Sequence, residues 1–345
     1  MTKILMTGVT GYIGGAVLAR FMQRSDFSSL DIRAVVRSSD KAKRLKEYGI
    51  TPIVGSHDDL ELMEKAAQEV DVVIAMADCD DVVAAEGALR GLKKSFEKTG
   101  KRPIYINTSG TGVLADNADG MYASTTIYDD ADSDQINSLD PSQPHRPVDL
   151  AIVNADAEGF VKTYIILPTH IWNTAQGPLF DSGISNPQSI LIPSLIRASL
   201  DRGQGGMAGK GSNIWNNVEI HELADLYSLV FDATLSETSS LPHGRDGYIF
   251  GITGEHSLYQ VCKAVAQAMV RVGKGRSEEP TSFTKEEIDK YFSVGGYAAL
   301  STNSRGKPTR GAALGWAPKK TTEDMLANIN LDLEIVIKNL ADSRL

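Results

Sequence analysis

Short apolar runs alternate with longer amphipathic stretches through the first half of the chain. A short apolar run is typical of a buried strand, and apolar residues three and four positions apart are typical of a helix. After the first run, for example, Ile13, Val17 and Phe21 keep helical spacing. This pattern predicts strands at residues 3–7, 31–36, 51–54, 71–75, 102–107 and 162–167, and helices at residues 12–24, 40–48, 58–68, 82–98 and 148–160.

Strands that alternate with helices in this way predict an α/β fold whose parallel sheet is covered on both faces. Because crossovers between parallel strands are right-handed, we expect a doubly wound parallel sheet of the Rossmann type. Beyond residue 168 the periodicity weakens, with helices expected at residues 193–200, 221–231, 259–272 and 284–291. The prediction is a Rossmann domain at residues 1–170 and a smaller C-terminal cap at residues 171–345, with room for some cap segments to return to the sheet.

One long segment interrupts the alternation of strands and helices. Residues 110–147 are rich in Ser, Asp, Asn, Gly and Pro and contain few apolar residues. Loops of this length inside a compact domain are usually functional or flexible. Residues that carry chemistry are therefore sought in this segment.

Composition excludes several classes of partner. The 345 residues carry 35 Lys and Arg against 44 Asp and Glu, a net charge of −9. This charge argues against nucleic acid and against anionic membrane surfaces, which both attract basic clusters. Two cysteines, Cys79 and Cys262, cannot build a disulfide framework, and no apolar run is long enough for a transmembrane helix. We expect a cytoplasmic protein with a small-molecule substrate.

The turn between the first strand and the first helix carries a glycine motif. Gly8, Gly11 and Gly14 lie in the segment Thr7–Gly15, directly after the strand. In this context the first glycine permits a tight turn, the second lets the backbone approach a pyrophosphate, and the third lets the helix pack closely. The free amides and the dipole of the helix N-terminus favour the phosphates. The motif predicts a dinucleotide site.

The end of the second strand indicates which dinucleotide binds. An acidic residue there holds the ribose 2′-hydroxyl of NAD, whereas an arginine accommodates the 2′-phosphate of NADP. This chain has Arg37 at that position, followed by Ser38 and Ser39. A guanidinium pairs with phosphate through two parallel hydrogen bonds. The predicted cofactor is therefore NADP.

These features together resemble a known superfamily. The glycine spacing, Arg37 and the strand with its serine at 104–109 are similar to the short-chain dehydrogenase/reductase superfamily, in its extended and atypical branches. Those branches include the NAD-dependent epimerase/dehydratase and NmrA-like groups, and the segments 165–172 and 215–224 resemble them further. The resemblance implies that Thr10, Tyr12 and Ile13 line the pyrophosphate, that Ala75, Met76 and Ala77 pass beneath the adenosine ribose, and that Pro168 and His170 lie near the nicotinamide.

The catalytic residues of that superfamily are only partly present. Its reductases use a Ser or Thr, a Tyr, and a Lys four residues after the Tyr. Ser109 matches the serine, but the following helix has Leu150 at the tyrosine position and Asn154 at the lysine position. Ser109 is the predicted oxyanion contact, and Asn154 is expected to hydrogen-bond the ribose. Tyr128 is the candidate general acid, with His145 of the same loop as the other candidate in sequence.

Three functions remain open from the sequence. The preferred one is an NADP(H)-dependent oxidoreductase acting on a small carbonyl or alcohol. The alternatives are an NmrA-like sensor that binds NADP without turnover, and a non-redox enzyme of the lyase or epimerase type. No metal site is predicted, since Asp78, Asp80 and Asp81 are interpreted as the acidic start of a helix. The resemblance also allows for a homodimer.

Overall fold

The structure is a computed structural model that describes residues 1–236 and 238–342, so Glu237 and residues 343–345 of the predicted cap range lie outside it. Its strands, in chain order, are β1 (Thr2–Met6), β2 (Leu30–Val36), β3 (Thr51–Val54), β4 (Val72–Ala75), β5 (Ile104–Thr108), β6 (Tyr128–Asp129), β7 (Lys162–Pro168), β8 (His170–Trp172), β9 (Gly206–Met207), β10 (Ile214–Glu219), β11 (Tyr248–Gly251), β12 (Gly254–Ser257), β13 (Thr281–Ser282) and β14 (Gly306–Lys307).

The α-helices, in chain order, are α1 (Tyr12–Met22), α2 (Ser39–Leu45), α3 (Leu60–Gln68), α4 (Val82–Thr99), α5 (Ser133–Asn137), α6 (Arg146–Ala157), α7 (Pro178–Asp181), α8 (Leu191–Arg202), α9 (Ile220–Leu235), α10 (Leu258–Arg271), α11 (Lys285–Tyr291), α12 (Val294–Ser301), α13 (Thr309–Ala313) and α14 (Thr322–Asp342). Glycines with left-handed backbone follow two of them closely. Gly49 follows the turn after α2, and Gly100 follows α4, both with the left-handed backbone that favours glycine.

A seven-stranded parallel sheet forms the centre of the molecule, in the order β3-β2-β1-β4-β5-β7-β11. Its alternating side chains enter two cores. Ile4 and Met6 pack with α1, α2 and α9, whereas Leu5 packs on the other face with α3, α4 and α6. This arrangement confirms the predicted doubly wound α/β fold.

A second layer is built from residues that mostly follow β7. The strands β8, β10 and β12 form a three-stranded sheet, and α8, α10 and α14 enclose a separate apolar core with it. The chain also returns to the first layer, since β11 pairs with β7 and α9 packs beside α1. The helix α14, which the sequence analysis did not predict, buries Met325, Ile329, Leu333 and Val336 in the cap core.

The long segment 110–147 is tied down by polar contacts to residues 301–310. The strand β6 pairs with β14, and Gly120 N donates to Ser301 O at 2.6 Å. Asn303, which is 1% exposed, accepts hydrogen bonds from the backbone amides of Ser124 and Ile214 and donates to Asp116 and Tyr122. The segment therefore has a defined course over the sheet edge. Among the described residues, no helix is both long enough and apolar enough to cross a membrane.

Candidate functional site

The glycine motif forms a tight turn between β1 and α1. Gly8 has a φ of +73°, and a Cβ added there would lie 2.4 Å from Met76 O. A Cβ at Gly14 would lie 2.3 Å from Gly8 O, so both glycines are required by the chain itself. Gly11 differs, because its φ is −87° and an added Cβ would meet only Gly8 O, at 3.1 Å. The absence of a side chain at Gly11 thus leaves open the approach to the N-terminus of α1.

A cavity of about 230 Å³ lies in front of this turn. It is at the carboxyl ends of β1, β2 and β4. The chain proceeds outwards from β1 to β2 and β3 and then returns to β4 on the other side of β1, so the cavity lies at the topological switch point where ligands bind in open α/β sheets. Its walls are Gly8, Thr10, Gly11, Val35, Val36, Arg37, Gly55, His57, Met76 and Ala77.

Arg37 is available for a ligand at one end of this cavity. Its side chain is exposed, and its guanidinium forms no hydrogen bond or ion pair with the residues at 1–236 and 238–342. Asp58 lies near it, and the pKa of that carboxyl is lowered mainly by a hydrogen bond with Ser56 and to a smaller extent by Arg37. The cavity wall therefore offers a cation that internal partners do not occupy.

The other residues expected at the cofactor differ in what they contact. Thr10 lines the cavity, and its carbonyl accepts from Asn186 N at 3.0 Å. The Tyr12 hydroxyl donates to the carbonyls of Trp172 and Asn173, so its side chain joins α1 to the end of β8. Burial raises the pKa of Tyr12. Ile13 packs against the core beneath the turn, which leaves its backbone for the predicted role.

The segment after β4 passes along the same cavity. Ala75 ends the strand and is half-buried, Met76 is buried, and Ala77 is exposed. Met76 N donates to Thr7 Oγ1 at 3.1 Å, which ties this segment to the end of β1. Met76 and Ala77 therefore form one wall of the cavity, whereas Ala75 lies just behind it.

Ser109 follows β5 and faces a buried carboxylate that the sequence analysis did not identify. Its Oγ donates to Asp149 Oδ2 at 3.1 Å, and its backbone N donates to Ile166 O at 2.8 Å. Asp149 is 0% exposed, and its Oδ1 is a buried atom without a partner. Burial raises the pKa of Asp149 to about 7, although Ser109 and Arg146 oppose the shift. The carboxyl of Asp149 can thus gain or lose a proton near neutral pH.

The side chain of α6 that hydrogen-bonds Ser109 does not stand at the position that the resemblance gives to the tyrosine. Asp149, and not Leu150, faces Ser109, because Val148, Ile152 and Ala155 fix the buried face of the helix. Asn154 lies on the exposed side of α6, and its side chain bonds no residue of the described ranges. A periodicity count over 148–155 would have placed Asp149 on the buried face, where a carboxylate is unusual.

Tyr128 is not brought to Ser109 by any described contact. It lies half-buried in β6, opposite Gly306, and packs on the core that contains β5. The only Tyr-x-x-x-Lys spacing in the sequence is Tyr259 and Lys263. That pair lies on α10 in the cap, where both side chains bind Glu279.

Pro168 and His170 lie where β7 passes into the cap. Pro168 is buried at the end of its strand, beside Gly251 of β11. The ring of His170 is stacked on Trp215 at a centroid distance of 4.2 Å, and its Nδ1 lies 3.2 Å from His256 Nε2. Burial lowers the pKa of both histidines, of His256 to about 3. The side chain of His170 is thus part of the cap interior, and only its backbone is left for the predicted contact.

A second polar cluster lies at the same sheet edge. Cys79 and Asp80 follow β4, and His145 precedes α6 with a φ of +67°. His145 Nδ1 is 3.2 Å from Cys79 Sγ and 2.9 Å from Asp80 Oδ1. Burial, Asp80 and Asp78 raise the pKa of Cys79 to about 12. Of the three aspartates expected to start a helix, Asp81 does so, since its side chain accepts from Ala84 N.

Comparison with known proteins agrees with this architecture. Residues 1–89 match the model of the NmrA-like family. The oxidase ucsJ of an Acremonium species is 27% identical over 285 residues, which are 79% of this chain and 80% of that protein. An uncharacterized protein of Schizosaccharomyces pombe is 22% identical over 327 residues, which are 93% of this chain and 96% of that protein.

Solved structures extend the likeness to the whole fold. A UDP-glucose 4-epimerase of Thermotoga maritima superimposes with a TM-score of 0.64 at 15% identity, covering 98% of this chain and 100% of that one. A dTDP-glucose 4,6-dehydratase of Bacillus anthracis, solved with NAD, has a TM-score of 0.63 at 15% identity, covering 98% and 97%. The resemblance to the extended and atypical branches of the superfamily is thereby confirmed, at the level of the fold and of the N-terminal NmrA-like match.

Proposed function

We propose that this chain is an NADP(H)-dependent oxidoreductase that acts on a small carbonyl or alcohol substrate. The observation that carries the proposal is the order of groups along one edge of the sheet. Arg37 follows β2, Gly8 follows β1, Met76 lies just after β4 and Ser109 follows β5, and these strands are neighbours in that order. With strands about 5 Å apart, the row is about 15 Å long and passes through the switch-point cavity.

The residues present fit a phosphorylated dinucleotide. Gly11 clears the approach to a helix N-terminus, and the unpaired guanidinium of Arg37 offers two parallel hydrogen bonds to a 2′-phosphate. Structures with the same fold, such as the Bacillus anthracis dehydratase, were solved with NAD, which supports a nicotinamide dinucleotide. The bound cofactor would supply or accept the hydride.

Ser109 and Asp149 provide the proton in this proposal. The Ser109 hydroxyl hydrogen-bonds the substrate oxygen and passes a proton to it as the carbonyl is reduced. Asp149 then returns a proton to Ser109 and becomes a carboxylate, which water later reprotonates. Because burial raises the pKa of Asp149 to about 7, the protonated carboxyl needed for this step is populated at neutral pH.

A second candidate function is an NADP sensor without turnover. The match of residues 1–89 to the NmrA-like family and the absence of Tyr-x-x-x-Lys between 109 and 168 both favour it. The sensor and the enzyme share the cofactor site and differ in whether a substrate changes the absorbance of NADPH. The cap as substrate domain, a homodimer and a cytoplasmic location remain predictions.

The first experiment is a fluorescence titration with NADPH and NADH. Arg37→Ala should weaken NADPH binding about 10–100-fold, the loss expected for charge-assisted hydrogen bonds, and leave NADH binding nearly unchanged. Lys43→Ala is the matched control, because Lys43 is an exposed cation on α2 that does not line the cavity. Gly11→Ala should weaken both dinucleotides alike. Equal loss of NADPH and NADH with Arg37→Ala would contradict the choice of NADP.

Turnover is then measured on a panel of carbonyl compounds at the NADPH absorbance band. Ser109→Ala and Asp149→Asn should each lower kcat at least about tenfold, since general acid catalysis typically contributes 10²–10⁴-fold. If Tyr128→Phe abolishes turnover while Asp149→Asn does not, the proton belongs to Tyr128 and the Ser109–Asp149 relay is wrong. Tight NADPH binding with no turnover on the panel would favour the sensor.

A further inference from the structure

Three ligand atoms converge from two distant parts of the chain at the cluster of Cys79, Asp80 and His145. His145 Nδ1 is 3.2 Å from Cys79 Sγ and 2.9 Å from Asp80 Oδ1, and Cys79 Sγ is 3.9 Å from Asp80 Oδ2. One ligand atom from each residue lies within 4.8 Å of both others. The two segments, after β4 and before α6, are brought together only by the fold.

The Cys79 thiol and the Asp80 carboxylate compete for one nitrogen of His145. A neutral imidazole nitrogen either carries one proton or offers one lone pair. If Nδ1 carries the proton and donates to Asp80 Oδ1, the Cys79 thiol is left with a long hydrogen bond to Asp80 Oδ2, at 3.9 Å. If Nδ1 is the acceptor for the thiol, the Asp80 carboxylate faces a lone pair at 2.9 Å. A cation at the centre satisfies the sulfur, the nitrogen and the oxygen at once.

We propose that Cys79, Asp80 and His145 form a binding site for a divalent metal ion of the zinc class. Thiolate, imidazole and carboxylate are the ligands that zinc takes in proteins, at about 2.0–2.3 Å. Tetrahedral ligands at those distances lie roughly 3.3–3.6 Å from one another. The separation of His145 Nδ1 from Cys79 Sγ is 3.2 Å and its separation from Asp80 Oδ1 is 2.9 Å, both slightly shorter than that range, so small side-chain rotations admit the ion.

The surroundings of the cluster suit a cation that keeps one position open. Asp78 and Asp149 lie close enough to act electrostatically on Cys79, so the local charge is negative. The side chain of Asp80 is 60% exposed and that of His145 is 20% exposed, which gives an ion access from solvent. Three protein ligands with solvent beyond them correspond to an incomplete shell, as in zinc sites that hold a water or a substrate.

The backbone around His145 holds its ring in this position. A Cβ at Gly110 or at Gly112 would lie 3.0 Å from His145 Nε2, so these glycines accommodate the far side of the ring. His145 N donates to Asp80 Oδ1 at 3.0 Å, and Asp80 N donates to Asp78 Oδ1 at 2.9 Å. The side chains are thus oriented before an ion arrives, which lowers the entropy cost of binding. None of the three ligands lines the cavity proposed for NADP, whereas Asp149 of the proposed proton relay lies close enough to act on Cys79.

The test uses Co²⁺ as a spectroscopic probe on the full chain, stripped of metal with a chelator. We expect one equivalent to bind, with a thiolate-to-cobalt charge-transfer band and Zn²⁺ displacing it. Cys79→Ser should abolish the band, and His145→Ala should weaken binding at least about tenfold, since even outer-shell partners contribute that much. Cys262→Ala is the matched control, because Cys262 is buried in the cap core and should leave the band unchanged.

Two results would overturn the metal site. One is the absence of a charge-transfer band from the wild-type chain at Co²⁺ concentrations well above those of the protein. The other is a band or an affinity that Cys79→Ser leaves unchanged, or that Cys262→Ala removes, since the ion would then lie elsewhere. Circular dichroism of each variant separates loss of the site from loss of the fold. NADPH titration of the same variants distinguishes this outcome from failure of the cofactor proposal.

Discussion

Asp149 is the residue whose environment is most at odds with its chemistry. It is fully buried, and among the described residues its carboxyl has one hydrogen-bond partner, Ser109, while its second oxygen has none. Burying a carboxylate with so few partners costs free energy in the ionised form, and this cost raises its pKa to about 7. Groups perturbed in this way cluster at functional sites, which is why Asp149 is assigned the proton.

This raised pKa makes the stability of the protein pH-dependent. Between the usual aspartate pKa of about 4 and the folded value of about 7, the native state holds a proton that the unfolded state has released. Below about pH 4, Asp149 therefore does not lower the free energy of unfolding. Between about pH 4 and pH 7 it lowers that free energy by an amount that grows with pH. Between pH 4 and pH 8, the free energy of unfolding of Asp149→Asn should exceed that of wild type by about 1–4 kcal/mol, with the difference growing with pH. Urea unfolding at each pH measures this difference.

The control for this prediction is Asp140→Asn in the same long segment. Asp140 is exposed, and hydrogen bonds from Ser142 lower the pKa of its carboxyl. A carboxyl whose pKa is lowered by folding stabilises the fold at pH values above its pKa in the unfolded state. Asp140→Asn should therefore lose stability, relative to wild type, as the pH rises through that range. A pH-independent difference for Asp149→Asn would mean that Asp149 is already ionised in the folded protein.

At the scale of elements, the segment 110–147 depends on one side chain of the distant segment 301–310. Asn303 accepts from Ser124 N at 3.0 Å and from Ile214 N at 2.8 Å, and donates to Asp116 and Tyr122. Asn303→Ala should lower the free energy of unfolding by about 2–4 kcal/mol, because four part-buried hydrogen bonds of this buried side chain are lost together. Urea unfolding measures this loss of stability. Asn117→Ala is the control, since Asn117 is exposed in the same segment. Equal losses in both variants would mean that Asn303 does not hold the segment.

A strand or helix could be predicted from the sequence where the pattern that indicates it lies within its own segment. The strands and helices up to Asn107 follow apolar periodicity and glycine stops such as Gly100, and they lie within a few residues of their predicted bounds. The pairing of β6 with β14 has no such signal, because it joins polar residues 178 positions apart. The helix α14 did have a local signal in the sequence, since the apolar residues Met325, Ile329 and Leu333 repeat every four residues.

The candidate site divides in the same way. The glycine turn and Arg37 could be located because their positions relative to β1 and β2 follow from the order of elements. Asp149 was missed because the helix was aligned by the family pattern and not by its own buried face. The approach of His145 to Cys79 could not be foreseen, since 66 residues separate them and only the sheet brings them together.

At the scale of the whole molecule, the apolar core around α8, α10 and α14 is separate from the switch-point cavity. Ile329 is fully buried in the cap core, and no residue of α14 lines the cavity. Ile329→Ala should lower the free energy of unfolding, measured with heat or urea, by about 2–5 kcal/mol. NADPH affinity at 25 °C should stay within about twofold of wild type, since distant sites act independently. Leu331→Ala, 44% exposed on the same helix, should cost less than about 1 kcal/mol.

A large fall in NADPH affinity for Ile329→Ala would show instead that the cap and the cavity are coupled. The same titration that tests Arg37 provides this readout. A correctly folded Leu331→Ala protein serves as the reference in both measurements.

The position of β11 has a consequence for the order in which the protein can be completed on the ribosome. The strand that covers the free edge of β7 is made 80 residues after β7 ends, when α8 and β10 of the second layer have already been synthesised. Until then the emerging sheet presents the unpaired backbone of β7, the kind of edge that pairs with other chains. Segments of the second layer such as α8 and β10 must leave the ribosomal tunnel before the seven-stranded sheet is closed. This sheet is therefore finished late, although it begins at the first strand.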